Sequence, residues 1–429
     1  MRVLMVTDAF PPRAGGSGWS THEVSRALRA RGHEITVVRP RFEAPALGDE
    51  CYDGFEILQP RVWAPRVPFV RNYFRNERLY AHLSRVLSPI IRDRRIDIVH
   101  GQHLLSGPPA IRAARQAGVA SVCTIRDYWP LCYWSDSTVD PASGVFCPGC
   151  SPRGMTACLP PRGGRLWPLG LAAIPYMTAN LRGKRHALAE AGAIVAVSQL
   201  IAAALRARAP GLSATRLDVI PNPVDIDGIA REAADLAPPL AGAYALYVGK
   251  LAHNKGCLRL IEAVRASGLD WPLVVVGDGP LRATMETAAR ATGLDVRFTG
   301  WLPRREVLGW LRHASMLVFP SAGPESLSRV LLEASALAVP IAAMNTGGTG
   351  DIVVDGVTGI LCEDAAALGP AVARLRADAD VRTRLGRAAR QHVRDRFETG
   401  SVAARLEALY DDLVGSGRTR PGVATGVAT

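Results

Sequence analysis

The chain has 429 residues, which exceeds what one hydrophobic core usually organises and therefore predicts two domains. Hydrophobic residues make up 48% of the chain and charged residues 21%, a balance typical of folded globular proteins that excludes fibrous and low-complexity classes. The net charge is +12 without any recognisable nucleic-acid-binding motif, which leaves an anionic ligand, an anionic lipid surface or a solvated basic face as its explanation.

The first half of the chain alternates buried strands with amphipathic helices. A glycine-containing loop, PPRAGGSG, follows the first strand and leads into the helical pattern THEVSRALRARG. This order is typical of a βαβ unit in a parallel sheet that helices cover on both faces. We therefore predict a Rossmann-like domain over residues 1–225, with strands at RVLMVTDAF, ITVVRP, DIVH, SVCTIRD, IVAVS and LDVIPNP.

A loop in this first domain, at about residues 130–165, has little secondary-structure pattern but contains four cysteines. They are Cys132, Cys147, Cys150 and Cys158, and two of them form a CPGC knuckle. Four thiols with this spacing predict a structural zinc site, with separate reduced thiols as the plain alternative. An iron–sulfur centre is disfavoured because nothing else in the sequence indicates a redox role.

The alternation restarts after residue 225 and predicts a second doubly wound domain over 226–400. Residues 226–240, rich in alanine, proline and acid, are interpreted as the hinge, residues 401–414 as a closing helix and 415–429 as a disordered tail. Two facing domains of this kind leave a deep cleft at the carboxyl ends of both sheets, where such folds bind ligands. The predicted strands are YALYVGK, PLVVVGD, VRFTG, MLVFP, PIAAMN and GILCE, with helices beginning near Cys257, Leu281, Arg304, Ser326 and Gly350.

Lysine is rare in this chain, and its placement is informative. Arginine occurs 48 times and lysine 3 times, yet Lys250 and Lys255 both lie in GKLAHNKG, directly after a predicted strand. A compact ammonium binds phosphate as a point charge, so the pair predicts a site for a leaving diphosphate. The alternative is two solvated loop residues.

Glu325 and Glu333 are eight residues apart in PSAGPESLSRVLLEASALAVP, a loop followed by a helix. The helix start predicts free backbone N–H groups at Ser326, Leu327 and Ser328, which favour an anion. Glutamate at this place can accept hydrogen bonds from sugar hydroxyls. A capping loop before an ordinary helix is the alternative.

His100 and His103 also follow a strand, and we interpret them as hydrogen-bonded histidines rather than general bases.

Taken together, these motifs resemble the retaining family-4 glycosyltransferases of the GT-B fold, an α/β fold of two facing Rossmann-like domains. The resemblance covers nearly the whole chain. The motifs that carry it are AGG, RGHEITVV, DIVHGQH, VIPNPVD, YVGKLAHNKG, VVVGDGP, the two glutamates, NTGGTGDIV and DGVTGIL.

The resemblance implies a hexosyl transfer from a nucleotide diphosphate-sugar with retained anomeric configuration and no catalytic metal. It implies that Lys250 and Lys255 bind the diphosphate, Glu325 the sugar hydroxyls and Glu333 the ribose. UDP is the commonest carrier in the family. Catalysis is assigned to Glu325, Lys255, Lys250 and Arg126, and donor binding to Gly15, Gly16, Lys250, Lys255, Gly279, Glu325, Ser326, Leu327, Ser328 and Glu333.

Five positions, at three places in the chain, depart from the family pattern. Lys250 stands where the family usually has arginine, and Ser326, Leu327 and Ser328 replace a common proline, aromatic and glycine. In TIRDYWP, Arg126 replaces a histidine that lies near the transferred sugar in the family. Arg126 is therefore expected to change donor choice, to bind an anionic sugar such as a uronate, or to weaken catalysis.

The basic, aromatic segment 61–95 and the apolar stretch LWPLGLAAIPYM are expected to shape a site for a lipid-linked or polysaccharide acceptor. The N-terminus lacks the features of a signal peptide, and no apolar run is long enough to span a membrane. We therefore expect a cytoplasmic protein with reduced cysteines, either free or bound to the inner face of the membrane. A nucleotide-sugar epimerase of the same fold and a catalytically weak donor-binding subunit are the alternatives.

Overall fold

The computed structural model describes residues 1–12, 14–41, 50–65, 70–142 and 146–418, and these form two α/β domains. Each domain contains a sheet of mostly parallel strands, so the predicted GT-B architecture of two Rossmann-like domains is confirmed.

The N-terminal sheet has eight strands in the order β3-β4-β2-β1-β5-β6-β7-β8, and β3 pairs with β4 in antiparallel orientation. Its strands are β1 (Arg2–Val6), β2 (Glu34–Val38), β3 (Glu50–Tyr52), β4 (Phe55–Leu58), β5 (Ile98–Gly101), β6 (Ala120–Ile125), β7 (Ala193–Ala196) and β8 (Arg216–Val219). The helices of this half are α1 (Gly16–Ala30), α2 (Val70–Tyr73), α3 (Leu79–Asp93), α4 (Gly107–Ala117), α5 (Pro152–Cys158), α6 (Pro160–Gly163), α7 (Trp167–Gly170), α8 (Ile174–Ala189) and α9 (Gln199–Arg208).

The C-terminal sheet has six parallel strands in the order β11-β10-β9-β12-β13-β14. Its strands are β9 (Ala245–Val248), β10 (Leu273–Val276), β11 (Val296–Gly300), β12 (Met316–Phe319), β13 (Ile341–Met344) and β14 (Ile360–Cys362). The remaining helices are α10 (Ile226–Ala234), α11 (Cys257–Ala266), α12 (Arg282–Thr292), α13 (Arg304–His313), α14 (Arg329–Ala336), α15 (Thr349–Ile352), α16 (Ala365–Ala377), α17 (Ala379–Phe397) and α18 (Thr399–Arg418).

In the C-terminal sheet, strand order reverses between β9 and β12, which are neighbours although they are not consecutive in sequence. The loops after these two strands leave the sheet in opposite directions and open a crevice at its carboxyl edge. Because the β9 loop contains the lysine pair and the β12 loop contains Glu325, this topology explains why they come together.

The last helix returns to the first domain. Leu406 and Tyr410 on α18 belong to the same hydrophobic cluster as Val3, Met5 and Ile98 of the N-terminal sheet. The chain therefore crosses between the domains twice, and the two crossings lie side by side, where Val224 N–H donates to the Phe397 carbonyl at 2.8 Å. The N-terminal domain is thus built from both ends of the chain.

Three predicted segments differ from the structure. The hinge predicted over 226–240 begins with α10, because the Asp225 carboxylate accepts a hydrogen bond from the Gly228 N–H and caps a helix there. Of the predicted tail, residues 415–418 continue α18, while 419–429 lie outside the described residues. The helix predicted near Ser326 begins at Arg329, one turn before Glu333.

Among the described helices, none combines the length and apolarity needed to cross a bilayer.

Candidate active site

The predicted lysine and glutamate meet at the carboxyl edge of the C-terminal sheet. The Lys255 ammonium lies 2.5 Å from Glu325 Oε1, and Ser321 Oγ donates a hydrogen bond of 2.6 Å to the same oxygen. Lys255 retains 31% of its side-chain exposure and Glu325 10%, so the pair faces a space open to solvent. The other carboxylate oxygen, Oε2, accepts no hydrogen bond from the residues that the structure describes, which leaves it available to a ligand.

A row of backbone donors lies beside this pair. Ser326, Leu327 and Ser328 immediately precede α14, with Ser328 in an extended conformation, and within the described residues their N–H groups donate no hydrogen bond. A helix start with open N–H groups attracts anions through these donors and through the helix dipole. The arrangement can therefore receive negative charge next to the Lys255 ammonium.

A cavity of about 470 Å³ lies between the domains at this point. Gly16 and Arg126 of the N-terminal domain line it together with Lys255, Glu325 and Glu333, whereas Lys250 is exposed and Gly279 lies elsewhere. Gly279 packs against the chain itself, since a Cβ there would lie 2.3 Å from the Leu251 carbonyl oxygen. The structure thus brings most of the predicted donor site together, whereas Lys250 follows the cavity-lining Gly249 but does not itself line the cavity.

Glu333 is held in a network of four charges that crosses the cleft. Its Oε1 accepts hydrogen bonds from Arg304 and from Arg329 Nε, the latter at 3.0 Å. Arg329 also binds the carboxylate of Glu23 on α1, with Nη1 to Oε2 at 2.9 Å. The residue predicted to bind the ribose is therefore linked through Arg329 to the N-terminal domain.

Burial and charge act in opposite directions on the Glu333 carboxyl. Burial would raise its pKa, but the charges of Arg304 and Arg329 outweigh burial and hold the pKa below the ordinary value. The opposing helix approaches closely here, because a Cβ on Gly16 would lie 3.0 Å from the Arg329 Cβ. Gly15, by contrast, has open space around it.

Arg126 follows β6 and lines the same cavity. Its Nε donates to Asn222 Oδ1 at 2.9 Å and its Nη1 to the Gln102 carbonyl at 2.8 Å. Both acceptors are neutral. Burial lowers the pKa of Arg126 to about 10, so the guanidinium stays protonated at neutral pH.

A second cavity of about 380 Å³ continues from the first, with Lys255, Glu325 and Ser326 in both walls. Its N-terminal wall contains Asp127 and, from the cysteine-bearing insert, Asp136. The cleft thus has a second polar compartment next to the Lys255–Glu325 pair.

Burial raises the pKa of Asp127 to about 6, against a hydrogen bond from the Trp129 N–H and the charge of Lys184. The folded protein therefore holds this proton more tightly than the unfolded chain, whose value is 3.8. Stability is expected to fall as pH rises from about 4 to about 6 and to stay lower above that range.

We expect Asp127→Asn to raise the free energy of unfolding at pH 8 by about 2 kcal/mol, because the amide carries no buried charge. At pH 4 the gain should vanish, which makes that measurement the internal control. Thermal unfolding at pH 4, 6 and 8 checks the prediction. A variant less stable than wild type at pH 8 would show that the carboxylate stabilises the fold.

The four cysteines of the insert lie near one another, since the charges of Cys132 and Cys147 act on Cys158, but they do not form a metal-holding group. Cys132 and Cys150 are hydrogen-bonded to each other, and this contact lowers the pKa of Cys132. Cys147 and Cys158 instead donate to the carbonyls of Gly149 and Met155, both at 3.3 Å. Across the described residues, no three His, Cys, Asp or Glu side chains are grouped to hold a metal. The arrangement does not support zinc, which stays a prediction that metal analysis of purified protein would test.

The two histidines have internal partners. His100 is bonded to the Tyr410 hydroxyl at 2.5 Å and to Thr124 Oγ1 at 2.7 Å, and burial lowers its pKa to about 3. His103 lies 3.2 Å from Thr7 Oγ1. Neither ring lines the cavity between the domains, which agrees with their interpretation as hydrogen-bonded histidines.

Sequence reasoning missed the charges that join the domains. Glu23, Arg304 and Arg329 gave no signal in a single sequence, because Glu23 and Arg329 are 306 positions apart. Asn222 lies within the VIPNPVD motif, so its place beside Arg126 could have been suspected from the resemblance.

Comparison with known proteins gives the same assignment in both halves of the chain. Residues 14–227 match the family described as Glycosyltransferase Family 4, and residues 229–392 match Glycosyl transferases group 1. Among curated proteins, the glycogen synthase of Mycobacterium tuberculosis H37Rv is 27% identical over 430 residues, covering 96% of this chain and 94% of that protein.

Solved structures share the fold. Sucrose-phosphate synthase from Thermosynechococcus elongatus aligns with a TM-score of 0.73 at 21% identity, over 97% of this chain and 100% of that chain. The Anabaena protein HepE in complex with UDP-glucose aligns with a TM-score of 0.66 at 16% identity, over 96% and 100%. Together with the two family matches, these findings show that the chain belongs to the family-4 glycosyltransferases of the GT-B fold, which use nucleotide-sugar donors.

Proposed function

We propose that the protein is a retaining glycosyltransferase that moves a sugar from a nucleoside diphosphate to an acceptor held by the N-terminal domain. The observation that carries the proposal is the Lys255–Glu325 pair beside the open N–H groups of Ser326, Leu327 and Ser328. A cation and a row of donors can receive a diphosphate there, while a carboxylate accepts hydrogen bonds from sugar hydroxyls.

In the proposed reaction, the bond between the anomeric carbon and the diphosphate oxygen breaks while the acceptor oxygen bonds to that carbon on the same face. The acceptor's proton passes to the departing phosphate oxygen. The Lys255 ammonium and the N–H groups before α14 stabilise the negative charge that grows on the diphosphate. Lys250, which is exposed and follows the cavity-lining Gly249, is proposed to assist from the outer side of the diphosphate.

The Lys255–Glu325 ion pair is suited to the donor-free state of the site. Without donor, Lys255 and Glu325 neutralise each other; with donor, the diphosphate takes the ammonium and the sugar takes the carboxylate. Glu333 is proposed to receive the ribose hydroxyls through the oxygen that Arg304 and Arg329 leave uncontacted. UDP is the proposed carrier, because HepE was solved with UDP and with UDP-glucose.

The acceptor is proposed to be lipid-linked or a polysaccharide, at the inner face of the membrane. An apolar groove of about 650 Å³ supports this proposal, with Leu166 and Leu169 in its walls at 70% and 74% exposure. Trp134 also lines the groove, while the next two residues, Ser135 and Asp136, line the second cavity of the cleft. A polar head in the cleft would thus contact Ser135 and Asp136, and an apolar chain in the groove would contact the adjacent Trp134. Residues 66–69 of the basic segment lie outside the described residues.

The test is to incubate the protein with UDP-sugars, with and without a lipid-linked acceptor, and to determine the anomeric configuration of the product by NMR. Retention in a new glycoside supports the proposal, and inversion contradicts it. A new sugar nucleotide formed without acceptor would favour the epimerase alternative. Donor binding without turnover would favour a catalytically weak subunit.

A further inference from the structure

Among the described residues, four cationic side chains line the cavity between the domains, and three of these have a carboxylate partner. Lys255 is paired with Glu325, and Arg304 and Arg329 are paired with Glu333. For Arg126, no carboxylate among the described residues lies within ion-pair distance. A positive charge that lines the ligand cavity therefore has no counter-ion among the residues that the structure describes.

The contacts of Arg126 hold the guanidinium in place without neutralising it. Asn222 Oδ1 and the Gln102 carbonyl accept two of its five N–H groups, and both acceptors are uncharged. A partly buried cation without a counter-ion is costly to the fold, so its presence at a fixed orientation indicates that a ligand supplies the negative charge. The planar guanidinium also matches the geometry of a carboxylate.

The position of Arg126 separates it from the donors that would meet the diphosphate. Lys255 and the open N–H groups of 326–328 belong to the C-terminal domain, whereas Arg126 follows β6 in the N-terminal domain. A sugar that contacts Glu325 on one side can therefore present a substituent to Arg126 on the other. A neutral hexose would leave the guanidinium unpaired in a cleft from which it displaces water.

We propose that Arg126 binds a carboxylate on the transferred sugar, so that the donor is a nucleotide-linked uronic acid. This inference rests on the proposed function, because it places the sugar between Glu325 and Arg126. It identifies Arg126 as a residue that determines donor specificity.

The experiment measures dissociation constants by calorimetry for matched ligands that differ only at C6. These are UDP, UDP-glucose and UDP-glucuronate, together with GDP, GDP-mannose and GDP-mannuronate. We expect wild type to bind the uronate about tenfold to a hundredfold more tightly than the neutral hexose of the same nucleotide. In Arg126→Gln that preference should disappear, while affinity for the nucleoside diphosphate stays unchanged.

The control is Arg112→Gln, which removes an exposed positive charge on α4 and is expected to keep the wild-type preference. Arg126→Lys keeps the positive charge but lacks the planar guanidinium. This variant replaces Arg126→Gln in the experiment if Arg126→Gln does not fold. It should retain part of the preference.

Other outcomes overturn the inference. Equal affinity of wild type for uronate and hexose contradicts it, and so does an equal loss of UDP and uronate binding in Arg126→Gln, which would assign the guanidinium to the phosphates. A rise in the acceptor KM alone would assign Arg126 to an anionic acceptor. If no UDP or GDP ligand binds wild type, the proposed function itself fails, whereas tight binding of UDP without a uronate preference refutes only this inference.

Discussion

Lys255→Ala is expected to lower the rate of sugar transfer about a hundredfold to a thousandfold, because one preorganised donor to developing charge is lost. Lys255 is the cation that lines the cavity next to the open N–H groups of the α14 start. Thermal unfolding should change little, since the ammonium keeps 31% of its side-chain exposure and Ser321 still donates to Glu325. Steady-state kinetics with a UDP-sugar measures the effect.

Two variants of the same region serve as controls. Arg259→Gln removes a positive charge from α11 outside the cavity and should leave kcat and KM near wild type. Lys250→Ala should cost less than Lys255→Ala, because the exposed Lys250 charge is screened by salt. Near-normal turnover in Lys255→Ala would contradict the assignment of the diphosphate to this place.

Arg329→Met is expected to cost about 3–5 kcal/mol of stability, because it leaves two buried carboxylates short of a partner. Arg329 keeps 10% of its side-chain exposure and binds Glu23 of one domain and Glu333 of the other. Arg304 remains near both carboxylates, but in the wild type it is already paired with Glu333, so it does not replace the lost guanidinium. The midpoint of thermal or urea unfolding measures the loss.

A rescue variant shows how much of the stability loss in Arg329→Met comes from unpaired charge and how much from lost packing. Glu23→Gln combined with Arg329→Met removes one of the stranded charges and should recover part of the loss. Arg394→Met is the matched control, since it breaks an exposed pair with Asp227 and should cost under about 1 kcal/mol. If the two arginine variants lose the same stability, the network across the cleft does not stabilise the fold.

Much of the fold could be predicted because its signal is local. Buried parallel strands are continuous apolar runs, and the strands predicted from MLVFP and PIAAMN appear as β12 and β13. The β3–β4 hairpin was missed because β3 and β4 have only three and four residues. The helix at the start of the predicted hinge was missed because the alanines and acids there were interpreted by composition, whereas the Asp225 cap decides that a helix begins there.

The residues of the candidate site that belong to local sequence motifs could be predicted. The contacts between residues far apart in the sequence could not. Lys255 and Glu325 belong to motifs that sit at the ends of adjacent strands, so topology alone brings them together. The link from Arg329 to Glu23 depends on how the two domains face each other, which no local pattern encodes. The missing counter-ion of Arg126 likewise becomes visible only when its neighbours are known.

The docking of α18 on the first domain also determines the order in which the newly made protein can mature. The second domain, from α10 to α17, is complete before the final helix has been translated. Until that helix emerges from the ribosome, the apolar surface around Val3 and Ile98 lacks Leu406 and Tyr410. Nascent chains with such uncovered surface aggregate readily and depend on chaperones. The half of the enzyme that is synthesised first is therefore the half that finishes folding last.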